Sequence, residues 1–208
     1  MHLQGLNQMT QQRRGNMFIF VAYFLLVMRF ILLSFISAIV LSSCGGENHK
    51  WEPLVSKEGN FTITMPTPVE KAEKTELTTF GKQPRYFVRW KPSSFAIDKF
   101  KLFEVSYTNC PASATTDSAR LNATLDSAVE LRKKDFSEIE VLSSQNIELN
   151  GYPGRAFFYD DNKGNTMVTV KMCIAKGKLY DLVVIAKKNY ATTNESGTFF
   201  DSFKLLQE

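Results

Sequence analysis

Residues able to do covalent or acid–base chemistry are few in this chain. Of its three cysteines, Cys44 closes an apolar run as Leu41-Ser42-Ser43-Cys44 and is followed at once by Gly45-Gly46, while Cys110 and Cys173 stand alone further on. The only histidines are His2 and His49, both near the N-terminus. Ser-His, Cys-His and multi-histidine metal sites each need an imidazole within the folded site, so the chain beyond His49 is expected to form none of them. Carboxylates come in two close pairs: Glu138 and Glu140 share one face of an expected strand, and Asp160 and Asp161 border a turn. Paired acids can hydrolyse glycosides, but such pairs are ordinary on solvated strands and hairpins. Asp160-Asp161-Asn162-Lys163-Gly164-Asn165 misses the calcium-loop register, because Gly falls one position early and no distal Glu follows, and it reads as a hairpin turn. The chain has no G-x-S-x-G, S-x-x-K, H-E-x-x-H or Walker phosphate loop. The expectation is a protein that is not an enzyme, with no cofactor and no metal.

The Cys44 segment resembles the bacterial lipobox, in which small residues admit a signal peptidase and the cysteine thiol takes a diacylglyceryl group before cleavage. Read from Met28, the preceding stretch has the parts of a signal sequence: a cation at Arg29, an apolar core from Phe30 to Leu41, then small residues. That core falls short of the roughly 20 apolar residues a spanning helix needs. Met17 to Met28 is apolar as well, so a chain started at Met1 offers the alternative of an uncleaved anchor with Arg13 and Arg14 on the cytoplasmic side. The expected organisation is a leader over residues 1–43, with Met28 or Met17 as candidate true start, a lipid anchor and flexible tether over 44–58, and a domain over 59–208. The partner this implies is a membrane, held through acyl chains on Cys44, and the location is the bacterial cell envelope, facing the periplasm or the exterior. Each buried methylene contributes about 0.8 kcal/mol and stable anchoring takes two chains, which one diacylated cysteine supplies. A tether of this length spans roughly 20 Å.

Losing the leader removes three cations, Arg13, Arg14 and Arg29, and no acid, so the formal charge falls from +4 to +1. A near-neutral surface offers no basic footprint for nucleic acid and no strong attraction for an anionic partner.

About 165 residues remain, enough for one domain with an adequate core. Alternating segments predict strands at Phe61–Met65, Thr75–Phe80, Arg85–Lys91 and Leu102–Thr108, with Gly81-Lys82-Gln83-Pro84 turning the second into the third. Leu121, Leu125, Ala128, Val129 and Phe136 recur at helical spacing over about Asp117–Phe136, with Thr116 or Asp117 as cap. Strands follow at Glu140–Leu149, Arg155–Tyr159, Met167–Ala175 and Leu179–Ala186, then a short helix near Glu195–Leu206. The pattern predicts an α+β domain with a mainly antiparallel sheet.

From about Gly59 to Leu206 the chain resembles the PsbP-like superfamily. The matching features are the opening strand Gly59-Asn60-Phe61-Thr62-Ile63-Thr64-Met65-Pro66, the long middle helix, Gly151-Tyr152-Pro153-Gly154-Arg155 leading into a hairpin, and the closing Phe199-Phe200-Asp201-Ser202-Phe203-Lys204-Leu205. The resemblance implies an α/β/α sandwich and a scaffold or binding module rather than an enzyme.

An envelope location is oxidising, so Cys110 and Cys173 are candidates for a disulfide worth about 4 kcal/mol by chain entropy. The alternative is two separate buried thiols, each a small apolar residue. Trp90, and Tyr152 in its Gly-Tyr-Pro-Gly setting, are the candidate recognition residues, with core packing and turn formation as the competing roles. The function expected is a membrane-anchored, non-enzymatic binding or assembly module of unknown partner, an envelope protein being the candidate; the alternative is a small-ligand or envelope-stress sensor, and behind it an enzyme of unrecognised type.

Overall fold

The computed structural model describes residues 49–93, 98–134, 140–161 and 165–207, all within a unit running from Glu47 to Glu208. The leader, Cys44, Glu138 and the turn residues 162–164 lie outside the described residues.

Among the described residues, ten strands form two sheets. β1 (Trp51–Ser56), β2 (Phe61–Pro66) and β10 (Lys204–Leu205) make a small one in the order β1-β2-β10. β3 (Glu70–Thr78), β4 (Gly81–Trp90), β5 (Phe100–Asn109), β6 (Glu140–Leu149), β7 (Tyr152–Asp161), β8 (Thr166–Ala175) and β9 (Lys178–Lys187) make a large one in the order β3-β4-β5-β9-β8-β7-β6. Every pairing is antiparallel. Helix α1 (Ser118–Lys134) joins β5 to β6, and α2 (Asn194–Ser202) follows β9. The expected α+β class with a mainly antiparallel sheet is therefore what the chain forms.

Strand period explains the two cores. On β9, Tyr180, Leu182, Val184 and Ala186 point to one face and belong to a cluster with Phe61, Ile63, Met65, Phe103, Phe199 and Phe203. Val183, on the other face, joins Leu125, Ala128 and Val129 of α1 with Phe157, Tyr159, Val170 and Met172. A central strand buried on both faces loses its polar alternation, which is why β8 and β9 read as nearly continuous apolar runs. Asp117 starts α1 by accepting a 2.8 Å hydrogen bond from the Arg120 backbone N–H, one of the donors left orphaned at a helix start. The helix packs mainly over β7 and β8, and the β3–β5 side of that face is left uncovered by it. This asymmetry makes the groove described below.

Three expectations about the elements need correction. Residues 51–56 are not tether: β1 pairs along its whole length with β2, and the Trp51 ring meets Phe103 edge-on with centroids 5.2 Å apart. Pro53 suggested a break, yet β1 is an edge strand, where the missing N–H costs nothing. Gly81 to Pro84 is not a turn, since Gly81 pairs with Thr78 and the reversal falls on Thr79 and Phe80. The closing helix ends at Ser202, after which Lys204 and Leu205 return to pair with β2.

The disulfide does not form. Cys110 and Cys173 are separate free thiols, in the two different clusters on opposite faces of the large sheet. Strand period decides this, because Cys173 shares the face of Tyr180 while Cys110 sits with α1.

Candidate binding groove

The residues singled out from sequence do not include this site, which is built from charged residues on β4, β5, β9 and α1. Arg85, Phe87 and Arg89 alternate along β4 onto the face that α1 partly covers; beside them lie Glu104 and Ser106 of β5, and Asp181 of β9. Arg85 donates to Ser106 Oγ from Nε at 3.0 Å and from Nη2 at 2.9 Å, and its Nη2 also holds Asp181 Oδ2. From α1, Arg132 Nε comes to 3.1 Å from the same Asp181 oxygen, and Arg132 Nη2 to 3.6 Å from Glu104 Oε1. Arg85 and Arg89 lie over the Phe87 ring, 5.4 and 5.9 Å from its centroid. Buried charges persist only when paired; here Arg85 and Arg132 share Asp181, and Arg132, which also reaches Glu104, ties α1 to the sheet.

The acids differ in their surroundings. Burial pushes the Glu104 carboxyl above the ordinary glutamate range; Arg132 opposes that and the negative Asp181 adds to it. Asp181 is 4 % exposed, and its Oδ1 has no hydrogen-bond partner. Thr79 Oγ1, also on the groove wall, is buried and unpartnered too.

Above this floor runs a groove of about 890 Å³, within the range of about 300–1,000 Å³ common for ligand pockets. Residues Ala72 to Thr79 form one wall, and Leu131, Arg132 and Lys134 of α1 the other. Lys74, Arg85, Arg89, Arg132 and Lys134 face Glu73, Glu76, Glu104 and Asp181, so the lining is close to neutral. Among the described residues, no cluster of three or more His, Cys, Asp and Glu could hold a metal, and no helix is long and apolar enough to cross a membrane.

The residues singled out from sequence fall elsewhere. Trp90 is 2 % exposed and packs on Phe103, so its ring is core and not recognition surface. Tyr152 is half-buried against the Phe61 cluster at the β6–β7 turn. Asp160 pairs with Lys188 at 2.7 Å, and the side chains of Glu140 and Asp161 lie outside the described residues. His49, assigned to a mobile tether, is instead part of the folded unit. Its ring sits 4.4 Å from Trp90 and pairs with Asp98 through Nε2 and Oδ2. The groove did leave a signal in the sequence: Asp181 within Leu179-Tyr180-Asp181-Leu182-Val183-Val184, and Glu104 within Leu102-Phe103-Glu104-Val105, are lone acids in apolar strands, which must be paired if the strand is buried.

No family model and no curated protein matches the chain. Among solved structures, it is similar to the solution structure of cyanobacterial PsbP (CyanoP) from Synechocystis sp. PCC 6803, at 13% identity and a TM-score of 0.47, covering 78% of this chain and 97% of that one. A Bacteroides thetaiotaomicron crystal structure matches at 12% identity and a TM-score of 0.45, over 76% of this chain and 49% of that one. A Pseudomonas aeruginosa protein of unknown function matches at 8% identity and a TM-score of 0.36, over 71% and 90% of the two chains. Likeness at this level carries no conclusion about what this chain binds or does.

Proposed function

We propose that this chain is a bacterial lipoprotein, held in the cell envelope by acyl chains on Cys44, whose PsbP-like α/β/α domain is a non-enzymatic module that binds another envelope component in the groove between α1 and the β3–β5 face. The lipobox pattern at Leu41–Cys44 supports the anchor, and the sequence features from Gly59 to Leu206 support the PsbP-like reading. One observation carries the binding role: a groove of about 890 Å³ lies over a sheet face that α1 leaves uncovered. Its charges are already paired on the floor, as suits holding a partner better than reacting with one. The alternative of a small-ligand sensor draws on the unpartnered Asp181 and Thr79 oxygens.

A photo-crosslinking residue placed at Leu77, 69% exposed on the groove wall, is expected to capture a reproducible neighbour in cells; one at Val55, 55% exposed on β1, is not. Equal capture from both positions, or none from Leu77, removes the groove as the binding surface. Palmitate labelling of the wild type and its loss in Cys44→Ser test the anchor separately.

A further inference from the structure

β3 is the terminal strand of the large sheet, and its outer edge makes no backbone hydrogen bond among the described residues. Nine residues of open edge are a template for pairing with another chain, and charged residues normally guard such an edge against it. Here the order of the charges does something else. The strand opens Glu70-Lys71-Ala72-Glu73-Lys74, with all four charged residues exposed and Ala72 at the centre; Glu70 also accepts from Arg89 at 2.9 and 3.1 Å and Lys74 reaches Glu76 at 3.0 Å, exposed pairs that a cross-strand partner can share. Antiparallel pairing of this segment with a second copy about Ala72 sets Glu70 opposite Lys74 and Lys71 opposite Glu73, and the two-fold axis repeats both pairs. All four cross-strand pairs are then of opposite sign, with Ala72 facing itself. Side-chain faces agree, because residues 70, 72 and 74 share one face and 71 and 73 the other. Neighbouring registers lack this match: centring on Glu73 puts Glu73 on Glu73 and Glu70 on Glu76, and centring on Lys74 puts Lys74 on Lys74. Opposite charges directly across an antiparallel pair are stabilising and like charges destabilising.

We propose that the free edge of β3 pairs with β3 of a second copy, in the register centred on Ala72, to make one continuous sheet across a symmetric dimer. A contact of five residues per strand is short, so the dimer is weak in dilute solution. Two copies confined to one membrane meet at a far higher effective concentration; that gain rests on the lipid anchor, while the pairing does not.

The test uses the full chain, purified in detergent at high concentration and also reconstituted in phosphatidylcholine vesicles, carrying Ala72→Cys or Leu77→Cys. Mild copper-phenanthroline oxidation is expected to link Ala72→Cys to its counterpart, and not Leu77→Cys, whose two copies lie far apart in this register. Adding Lys71→Glu or Glu73→Lys to the Ala72→Cys chain is expected to lower self-linking about tenfold at low salt. Mixing the two charge variants restores linking between them, and a variant that merely misfolded would not be rescued. The proposal is overturned if Leu77→Cys links as readily as Ala72→Cys, if the mixture links no better than either variant alone, or if neither detergent nor vesicles yield the linked dimer. Linking in detergent but not in vesicles overturns the membrane enhancement and leaves the register standing.

Discussion

Gly154 lies in the interior of β7, between β6 and β8, opposite Cys173 and Ile147. Its backbone has no unusual φ, so the absence of a side chain is needed for space and not for conformation. A Cβ built there would stand 2.3 Å from the Met172 carbonyl oxygen, where real Cβ contacts stay at or above 3.0 Å, and would also press on Ile147 Cγ1 at 3.3 Å and Cys173 Cβ at 3.4 Å. Gly154→Ala must therefore part β7 from β8 by at least 0.7 Å, the difference of those two distances, against ladder hydrogen bonds on both sides. Overpacking of this kind costs about 1–3 kcal/mol and occasionally more, while Ala narrows the unfolded ensemble and returns about 0.4–1 kcal/mol. The net expectation is a loss of about 1–2 kcal/mol, which at about 2–4 °C per kcal/mol for a chain of this size lowers Tm by about 2–8 °C. Far-UV circular dichroism melts, with urea midpoints and m-values, measure it. Gly197→Ala serves as reference: on α2 its Cβ would meet only Asp201 Oδ2 at 4.0 Å, so helix propensity predicts a gain of about 0.5–1 kcal/mol. If Gly154→Ala melts with or above the wild type, the close strand approach is not there and the glycine belongs to the turn alone.

Three further outcomes follow from the same geometry. Because Glu104 holds its proton more tightly folded than unfolded, its contribution to stability is fully present below the ordinary glutamate range and is lost as pH rises through the raised value; urea midpoints between about pH 4 and 8 are expected to lose that component of their slope in Glu104→Gln, and an unchanged slope refutes the assignment. Burial pushes the Cys173 thiol up to about 12 and raises that of Cys110, so both should resist alkylation until denaturant is added and both should map as free thiols without reductant. Trp51→Ala, neutral if residues 44–58 were a tether, is expected to cost about 2–4 kcal/mol in urea unfolding, since the ring packs on Phe103.

How much was legible in the sequence varies by element for physical reasons. The expected β2, β5, β6, β8, β9 and α1 fall within two or three residues of where they stand, because each carries a strong signal: a period of two for a half-buried strand, apolar continuity closed by a turn, or helical spacing for α1. β1 reads as tether because Trp51-Glu52-Pro53-Leu54 has no period, and its strand state depends on partners supplied by β2, five to fifteen residues on. The Gly81–Pro84 turn was misplaced because turn-forming residues also fit the start of an edge-paired strand, and only the register with β3 distinguishes the two.

The chain's composition and order determined by themselves that catalysis by imidazole has almost no material here, that Leu41–Cys44 carries the lipobox pattern, and that strands with one long helix follow, since these depend on residue type and on neighbours within a few positions. Tertiary structure alone decided that His49 meets Asp98 and Trp90, that the two thiols lie on opposite faces, and that Arg85, Glu104, Arg132 and Asp181 converge beneath a groove. Each of those facts joins residues from distant parts of the chain, and no local period encodes which strand lies beside which or how far a helix extends across the sheet it covers.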